Sequence, residues 1–440
     1  MAKYRIGWMP GDGVGVDVMD ATRIVLDALG FDADYIPGDI GWEIWCREAN
    51  ALPDRTLEML RGVDAALFGA ITSKPKEEAE AELIPELRGK GHVYRSPIVR
   101  LRQEFNLRTN LRPCKAYAGN PLNYRDNLDM VVFRQNTEDL YMGVEWHPLP
   151  QELRDVMMKT LPGPTKRLAN TANEDIAVSA RILTRLGCQQ IVRDSFEYAK
   201  KYGYKTVTIV EKPNVVRETS GLMVREARKI AKDYPGIELW ETNIDAMCMW
   251  LIKNPEQYGV MVSSNMFGDI LSDLCAQLVG GLGFACSGNL GDDIGIFEPS
   301  HGSAPKYVGL NKVNPIAMIL SAKMMLDHLG EKDMAARMES AVAAVIKDGK
   351  ARTYDMGGTT TTTGMAEAIA ARCRPDALAG MNTNARSFDP LLPNPNCPRA
   401  VRLGAAWLPL ESARKVSPVP RDAFQPRAGL ERPDVWASSS

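Results

Sequence analysis

The sequence predicts an α/β fold, in which strands alternate with helices along the chain. Residues 3–30 contain an apolar strand, a glycine-rich turn and an amphipathic helix. Further apolar runs at 62–73, 128–136, 205–214 and 258–269 each end in polar residues. Because open α/β sheets bind ligands where strands leave the sheet, we expect functional residues at these strand ends.

Composition excludes several classes of protein. A chain of 440 residues is long enough for about two or three domains. The hydrophobic fraction is 45%, the charged fraction 25% and the net charge -2, which is typical of globular proteins and predicts no nucleic-acid partner. The N-terminus has no signal-peptide pattern, no run reaches the roughly 18 apolar residues of a membrane span, and the eight cysteines are scattered. We therefore expect a cytoplasmic protein with no membrane partner.

The glycine loop "PGDGVG" at 10–15 invites comparison with phosphate-binding loops. Its spacing matches neither GxGxxG nor GxxxxGK[ST]. Turn chemistry therefore favours a tight turn between the first strand and the first helix over a phosphate-binding loop.

A basic segment follows at 94–113. Converging arginines suit a substrate with two or three carboxylates, because a guanidinium binds a carboxylate through two hydrogen bonds. Ser96 before Pro97 is also a good helix N-cap, and some of these arginines could simply be solvated. The arginines are Arg95, Arg100, Arg102, Arg108 and Arg112, with Arg134 at the end of a later strand.

Two aspartates, Asp269 and Asp273, stand four residues apart in the helical pattern "NMFGDILSDL". On a solvated face they would repel by roughly 0.2–0.5 kcal/mol. Partly buried without a counter-charge, one of them would hold a proton, whereas a divalent cation would accept both as oxygen ligands. Tyr141 and Lys212 are candidates for proton transfer, and Lys212 gains weight because it ends an apolar strand.

Taken together, the motifs resemble the β-decarboxylating dehydrogenase family, which includes isocitrate, 3-isopropylmalate, homoisocitrate and tartrate/malate dehydrogenases. The resemblance runs from about residue 3 to about residue 372. It rests on "PGDGVG", "LRxxxNLxxNLRP", "RQNTEDLYMGVEW", "EKPN", "NMFGDILSDL" and "EPSHGSAPKYVGLNKVNP", in family order and spacing. It implies that family's α/β/α sandwich with a large mixed sheet, which is not a classical Rossmann fold.

The resemblance also implies site residues. Ser96, Arg102, Arg112 and Arg134 match substrate-binding positions, and Tyr141 and Lys212 match the catalytic pair. Asp245, Asp269 and Asp273 match the ligands of Mg²⁺ or Mn²⁺. In the family, the equivalents of Lys212 and Asp245 come from the neighbouring subunit, so a homodimer with shared active sites is implied.

The implied cofactor is NADP, with NAD as the alternative. Lys306 stands where NAD-dependent members usually carry an aspartate, and a lysine suits the 2′-phosphate. Gly358 departs from the NADP pattern, which has an arginine there. The implied cofactor-binding residues are Thr72, Asn214, Glu298, His301, Gly302, Ser303, Ala304, Lys306, Tyr307, Val313, Asn314 and Tyr354.

The nearest resemblance is to NADP-dependent bacterial isocitrate dehydrogenases. Ser96 favours isocitrate, although Ile98 replaces an expected asparagine and could, with Val99, line a pocket for an isopropyl group. Isopropylmalate, homoisocitrate and malate/tartrate-type acids remain alternatives, as does a non-catalytic regulatory subunit. We expect a large cofactor domain (1–118 plus 255–372), a small dimerisation domain (119–254) with an intersubunit clasp at 147–184, and a mobile proline-rich tail (374–440).

Overall fold

A computed structural model of the chain describes residues 2–374. From residue 375 onwards, the predicted proline-rich tail lies outside the described residues. The strands are β1 Tyr4–Gly11, β2 Ala33–Pro37, β3 Ala65–Ala70, β4 Thr109–Lys115, β5 Asp129–Gln135, β6 Glu145–Trp146, β7 Val178–Ser179, β8 Thr206–Glu211, β9 Glu238–Asn243, β10 Val260–Ser263, β11 Cys286–Leu290 and β12 Gly295–Pro299. The α-helices are α1 Val14–Leu29, α2 Trp42–Glu48, α3 Asp54–Leu60, α4 Lys76–Ala81, α5 Pro97–Glu104, α6 Gln151–Thr160, α7 Pro162–Thr165, α8 Arg185–Tyr202, α9 Thr219–Ile230, α10 Ile244–Lys253, α11 Asn265–Leu278, α12 Ile316–His328, α13 Lys332–Asp348 and α14 Thr362–Cys373.

Ten of these strands form one mixed sheet, in the order β2-β1-β3-β12-β11-β4-β5-β10-β8-β9. The pairs on either side of the centre are parallel, whereas β12–β11, β11–β4 and β4–β5 are antiparallel. The sheet therefore contains two parallel blocks of opposite direction, joined at its centre. Where the blocks meet, the carboxyl end of β5 lies beside the amino end of β4.

Helices cover both faces of this sheet, which confirms the predicted α/β/α sandwich. On one face, one apolar cluster joins the strands to α3 and α5, and another joins them to α10 and α11. On the other face, one apolar cluster joins the strands to α1, α12, α13 and α14, and a second cluster joins them to α8 and α9. A helix that packs on a sheet must bury one apolar stripe, and α8 does so with Cys188, Ile191, Val192 and Phe196.

The predicted strands are present as β1, β3, β5, β8 and β10. The other strands were not predicted from the sequence; one of them is β2, an edge strand whose residues are mostly half-exposed and so lack a strong apolar pattern. The sequence analysis also missed α6, because that helix buries none of its residues. Nothing in the fold tests the predicted domain boundaries, which stay predictions.

Seven cysteines fall within residues 2–374, all with free thiols, and five of them are buried. Within that same range, no helix combines the length and apolarity needed to cross a membrane.

Candidate active site

The centre of the sheet places three polar side chains in one row. Asn110 on β4 pairs with Arg134 on β5 and with Asn289 on β11. Residues opposite one another in paired strands point to the same face, so the three side chains face the same layer. All three are almost completely buried.

Asn289 organises this row. Its Oδ1 accepts hydrogen bonds from Arg102 Nε, Asn110 Nδ2 and Asn136 Nδ2, each at 3.0 Å. Its Nδ2 donates to Glu298 Oε1 at 2.8 Å, and Arg102 Nη2 donates to the same oxygen at 3.1 Å. The sequence analysis missed Asn289; the available signal was a polar residue inside the apolar strand "CSGNL". Asn289 thus connects a predicted substrate residue, Arg102, to a predicted cofactor residue, Glu298.

Helix α11 packs directly over this row, and Gly268 allows its close approach. A Cβ at Gly268 would lie 2.9 Å from Arg134 Cβ, a distance that real Cβ atoms do not adopt. The next residue, Asp269, consequently reaches the arginines. Its Oδ1 lies 2.5 Å from Arg134 Nη1 and 3.1 Å from Arg112 Nη1.

Arg112 bridges the two aspartates of α11. Its Nη1 lies 3.1 Å from Asp269 Oδ1 and 3.4 Å from Asp273 Oδ1. Burial would raise the pKa of Asp269, but the charges of Arg134 and Arg112 outweigh it and hold that pKa below its ordinary value. Burial, together with the charge of Asp269, raises the pKa of Asp273. Arginines therefore outweigh the burial of Asp269, whereas the pKa of Asp273 stays raised although Arg112 is near it.

Arg134 is the most deeply buried cation of the site, with 1% of its surface exposed. Its Nε donates to the backbone and side-chain oxygens of Asn265 at 3.0 and 2.9 Å. Burial and the neighbouring Arg112 and Arg102 lower its pKa to about 9. Its Nη2 is buried and has no hydrogen-bond partner among residues 2–374. This nitrogen is a donor that an incoming carboxylate would satisfy.

Tyr141 lies against the same arginine. The guanidinium of Arg134 stands 4.9 Å from the centre of the Tyr141 ring, and the hydroxyl donates to Asp269 Oδ2 at 2.5 Å. Burial and this hydrogen bond raise the pKa of Tyr141, so the phenol keeps its proton at neutral pH. The structure therefore brings together Arg102, Arg112, Arg134, Tyr141, Asp269 and Asp273.

Lys212 and Asp245 form a separate pair with each other. Lys212 follows β8, Asp245 opens α10, and their side chains make an ion pair. Asp245 is exposed, and its bond to Lys212 lowers its pKa. Within the described part of the chain, no three His, Cys, Asp or Glu side chains are grouped as metal ligands. The prediction that Asp245 of one subunit and Asp269 and Asp273 of the other bind the same metal ion therefore stays a prediction.

A partly buried arginine outside the predicted set, Arg181, connects several elements of the site. It donates to Asp139 Oδ1 at 2.6 Å, Glu211 Oε2 at 3.2 Å and Ser264 Oγ at 2.6 Å. Asp139 lies two residues before Tyr141 and accepts from Met266 N at 3.0 Å, at the start of α11. Glu211 directly precedes Lys212. Sequence reasoning missed Arg181 because its partners are far apart in the chain.

The remaining residues of the basic segment have structural partners or stay exposed. Arg100 pairs with Asp54 at 3.0 Å, and Arg108 pairs with Asp292 at 2.5 Å. Ser96 occupies the N-cap position of α5, but its side chain makes no capping hydrogen bond. Ser96 therefore has the N-cap position that the sequence predicted, but its hydroxyl does not bond to the helix backbone.

The predicted cofactor residues gather around two loops. The Thr72 and Ser303 hydroxyls are 2.6 Å apart, and the glycine loop packs on the same segment through Val14 N to Ser303 O at 3.0 Å. His301, Gly302 and Ala304 belong to this segment, and Val313 and Asn314 are buried after it. Asn214 is instead exposed beside Lys212.

Two tyrosines of the predicted cofactor set, Tyr307 and Tyr354, stack on each other. The Tyr307 and Tyr354 rings are 5.2 Å apart at 27°, and the Lys312 ammonium stands 4.8 Å from the Tyr354 ring. Lys306 precedes Tyr307 and is exposed. The arginine that Gly358 replaces would not fit this backbone, because a Cβ there would lie 2.2 Å from the Arg352 carbonyl oxygen.

Comparison with known proteins agrees with this geometry. The sequence model of isocitrate/isopropylmalate dehydrogenases matches residues 5–369. The chain belongs to the isocitrate/isopropylmalate dehydrogenase family. This family membership, which the motifs predicted, makes the protein an oxidoreductase related to decarboxylating dehydrogenases.

Individual members of the isocitrate/isopropylmalate dehydrogenase family differ in substrate. The 3-isopropylmalate dehydrogenase of Methanothermobacter thermautotrophicus is 39% identical over 84% of this chain and 98% of its own length. The isocitrate/homoisocitrate dehydrogenase of Thermus thermophilus is 37% identical over 83% and 97%. Protein DlpA of Legionella pneumophila is 39% identical over 84% of this chain, which spans 58% of that longer protein.

A solved structure of the isocitrate/isopropylmalate dehydrogenase family has the same fold. The crystal structure of isocitrate dehydrogenase from Methylococcus capsulatus superposes with a TM-score of 0.73 at 36% identity. The match covers 84% of this chain and 99% of that one.

Proposed function

We propose that the protein catalyses the oxidative β-decarboxylation of a 2-hydroxy acid, with isocitrate as the preferred substrate, NADP as the hydride acceptor and Mg²⁺ or Mn²⁺ bound. The observation that carries the proposal is the convergence of Arg102, Arg112 and Arg134 beside Tyr141, with Arg134 Nη2 buried and unpartnered among the described residues. Three buried guanidiniums match a substrate with several carboxylates.

Ser96 supports isocitrate as the substrate. Its hydroxyl makes no capping bond, so it is available to a third carboxylate at the start of α5. The second candidate is 3-isopropylmalate, which Ile98 and Val99 favour because both side chains are half-buried on the same helix. Ile98 packs against the apolar cluster behind α5, so part of its surface is already used. Homoisocitrate and malate/tartrate-type acids follow in our order of preference.

The donor set at α11 fits a divalent cation. Asp269 and Asp273 offer carboxylate oxygens close to one another, since one Arg112 nitrogen lies within 3.4 Å of both. These hard oxygens are the ligands that Mg²⁺ and Mn²⁺ prefer, and the 59% exposed Asp273 side chain is accessible to one. Asp245 of a second subunit would complete the set. A bound cation supplies positive charge that acidifies the 2-hydroxyl and stabilises the enolate.

The cofactor loops fit an NADP 2′-phosphate. Lys306 precedes Tyr307 in the chain and Lys312 stands 4.8 Å from the Tyr354 ring, so both can provide positive charge near the stacked tyrosines. An ammonium attracts a phosphate, whereas an aspartate at the position of Lys306 would repel it. Bound NADP would accept the hydride from the substrate's C2.

The chain's own groups would then hold the substrate and move protons. The arginines would bind the substrate carboxylates, and Lys212, directly or through a water, would take the 2-hydroxyl proton as hydride leaves. After CO₂ is lost, Tyr141 would give its proton to the enol carbon. The hydrogen bond of its hydroxyl to Asp269 at 2.5 Å, inside the arginine cluster, supports this role.

Exposed apolar side chains support the homodimer. Met249 and Ile252 on α10 are 53% and 48% exposed, and Ile270 on α11 is 51% exposed. Helix α6 exposes Val156 and buries no residue, which is typical of an element that packs against another chain. The neighbouring β6–β7 pair would belong to the predicted clasp.

A steady-state panel of 2-hydroxy acids, each with NAD⁺ and NADP⁺ in the presence of Mn²⁺, tests the proposal. We expect the highest kcat/KM with isocitrate and NADP⁺, because Ser96 and the three arginines suit a tricarboxylate and Lys306 suits the 2′-phosphate. The rate for each acid and cofactor is measured from the absorbance of the reduced nicotinamide at 340 nm.

The variant Lys306→Asp tests the assignment of NADP as the cofactor. It should move the NADP⁺/NAD⁺ preference towards NAD⁺ by about tenfold or more, since a charge is reversed beside the phosphate. An unchanged ratio would contradict the role of Lys306, and a preference for 3-isopropylmalate in the panel would replace the substrate assignment.

Mixing two inactive variants tests the shared site. If Lys212 reaches the site of the partner subunit, a heterodimer of Lys212→Met and Tyr141→Phe chains has one intact site and one doubly defective site. Random reassortment makes half of the dimers heterodimers, so about a quarter of the sites should be active. Activity of the two purified variants, measured before and after joint unfolding and refolding, gives the result.

Each variant refolded alone serves as the control and should stay inactive. If the mixture is no more active than either variant alone, Lys212 and Tyr141 of the same chain form the site.

A further inference from the structure

A cavity of about 870 Å³ opens on the face of the central sheet opposite the candidate active site. Strands β4, β5, β11 and β12 form its floor, and helices α8 and α12 form its walls. The predicted substrate arginines, Tyr141 and the aspartates of α11 are not among its lining residues. Its volume lies in the range of small-molecule sites.

The cavity and the active site share the same four strands. On each strand, a cavity residue stands next to a residue of the active-site network, and successive side chains of a strand point to opposite faces. The neighbours are Leu111 and Arg112, Phe133 and Arg134, Leu290 and Asn289, and Phe297 and Glu298. The cavity is therefore a distinct site, on the opposite face of the sheet from the predicted substrate arginines.

Most strand residues that line the floor of the cavity are apolar, although Thr109, Lys115 and Asp129 are polar. Leu111 and Phe133 are paired across β4 and β5, and Leu290 and Phe297 extend the same surface onto β11 and β12. Met324 contributes from α12. Such a surface favours the hydrocarbon body of a ligand and disfavours small polycarboxylates, which would lose their hydration without compensation.

The charges around the floor are unequally compensated. Each acidic lining residue has a basic or hydroxyl partner; these residues are Asp129, Asp194, Glu197, Asp327 and Glu339. By contrast, Lys200 and Lys201 at the end of α8 have no carboxylate partner among the described residues. Two ammonium groups at the edge of an apolar cavity favour a ligand with one anionic end.

We propose that this cavity binds an amphipathic monocarboxylate, with its hydrocarbon chain on the strand floor and its carboxylate at Lys200 and Lys201. The site lies outside the reaction described above and does not depend on the substrate or cofactor assigned there. Because its floor carries the side chains next to Arg112 and Arg134, a ligand bound there touches the strands that hold the active site.

Titration of the full chain with decanoate, without substrate or cofactor, tests the proposal by isothermal calorimetry. We expect one saturable site on the parent protein. The double variant Lys200→Glu/Lys201→Glu should weaken binding about tenfold or more, because attraction at the carboxylate becomes repulsion. The charge-matched double variant Lys205→Glu/Lys232→Glu, at exposed positions outside the cavity, should keep the parent affinity within about twofold.

Filling the cavity with a larger side chain from α12 is an independent test of decanoate binding. Met324→Trp should weaken decanoate binding while the unfolding temperature stays near that of the parent, and the lysine variants decide the question if this variant does not fold. Absence of a saturable site on the parent would overturn the proposal, as would equal affinity of the parent and the Lys200/Lys201 variant. Loss of decanoate binding in Arg134→Lys with full binding in the Lys200/Lys201 variant would place decanoate in the active site and also overturn it.

Discussion

Replacing Asp269 by asparagine is expected to lower kcat/KM by about 1,000-fold at saturating Mn²⁺, equivalent to about 4 kcal/mol of transition-state stabilisation. Asp269 is the side chain on which the site converges, since Arg112, Arg134 and Tyr141 all bond to its carboxylate. Asparagine keeps the shape but removes the negative charge on which the proposed cation site depends. Steady-state kinetics over a range of Mn²⁺ concentrations measures the loss.

Asp27→Asn is the matched control, because Asp27 also pairs with an arginine, Arg23 at 2.7 Å, but on the exposed surface of α1. Its kcat/KM should stay within about twofold of the parent value. If Asp269→Asn reduced NADP⁺ as fast as the parent, Asp269 would not be a metal ligand.

Replacing Arg134 by lysine is expected to lower kcat/KM by about 100- to 1,000-fold. Lysine keeps the positive charge but cannot bond Asn265 and Asp269 and also bind a carboxylate, as the proposed role of the Arg134 guanidinium requires. A buried charge left without its partner costs about 3–4 kcal/mol, which sets the size of the effect. Most of the loss should appear in KM for the acid and in kcat, with KM for NADP⁺ nearly unchanged.

Arg228→Lys provides the comparison, because Arg228 makes a two-bond contact with Glu241 at 2.6 and 2.7 Å on the surface. It should leave the kinetics unchanged. An Arg134→Lys variant with parent kinetics would exclude Arg134 from substrate binding.

Several site residues followed from the sequence because their signals are local. The i,i+4 spacing places Asp269 and Asp273 on one face of α11, and the short segment from α5 to β4 carries Arg102 and Arg112. Arg134 is the penultimate residue of β5, so its side chain lies near the carboxyl end of that strand. These features depend on helix and strand periods, which a single segment contains.

Other site features depend on strand order, which no single segment contains. Asn289 reaches Arg102 because β11 is inserted antiparallel between β12 and β4. Arg181 reaches Asp139, Glu211 and Ser264 although these residues are 30 to 83 positions away in sequence. The sequence analysis missed both residues for this reason.

By itself, the sequence determined the family, the α/β/α class and the residues whose charges suit a polycarboxylate and a cation. The tertiary structure decided that two arginines neutralise Asp269 and that one nitrogen of Arg134 remains for a ligand. It also decided that four strands of the active site carry a cavity on their other face. The physical reason is that charge compensation and burial depend on distances between segments. The local pattern specifies each segment, but packing sets those distances.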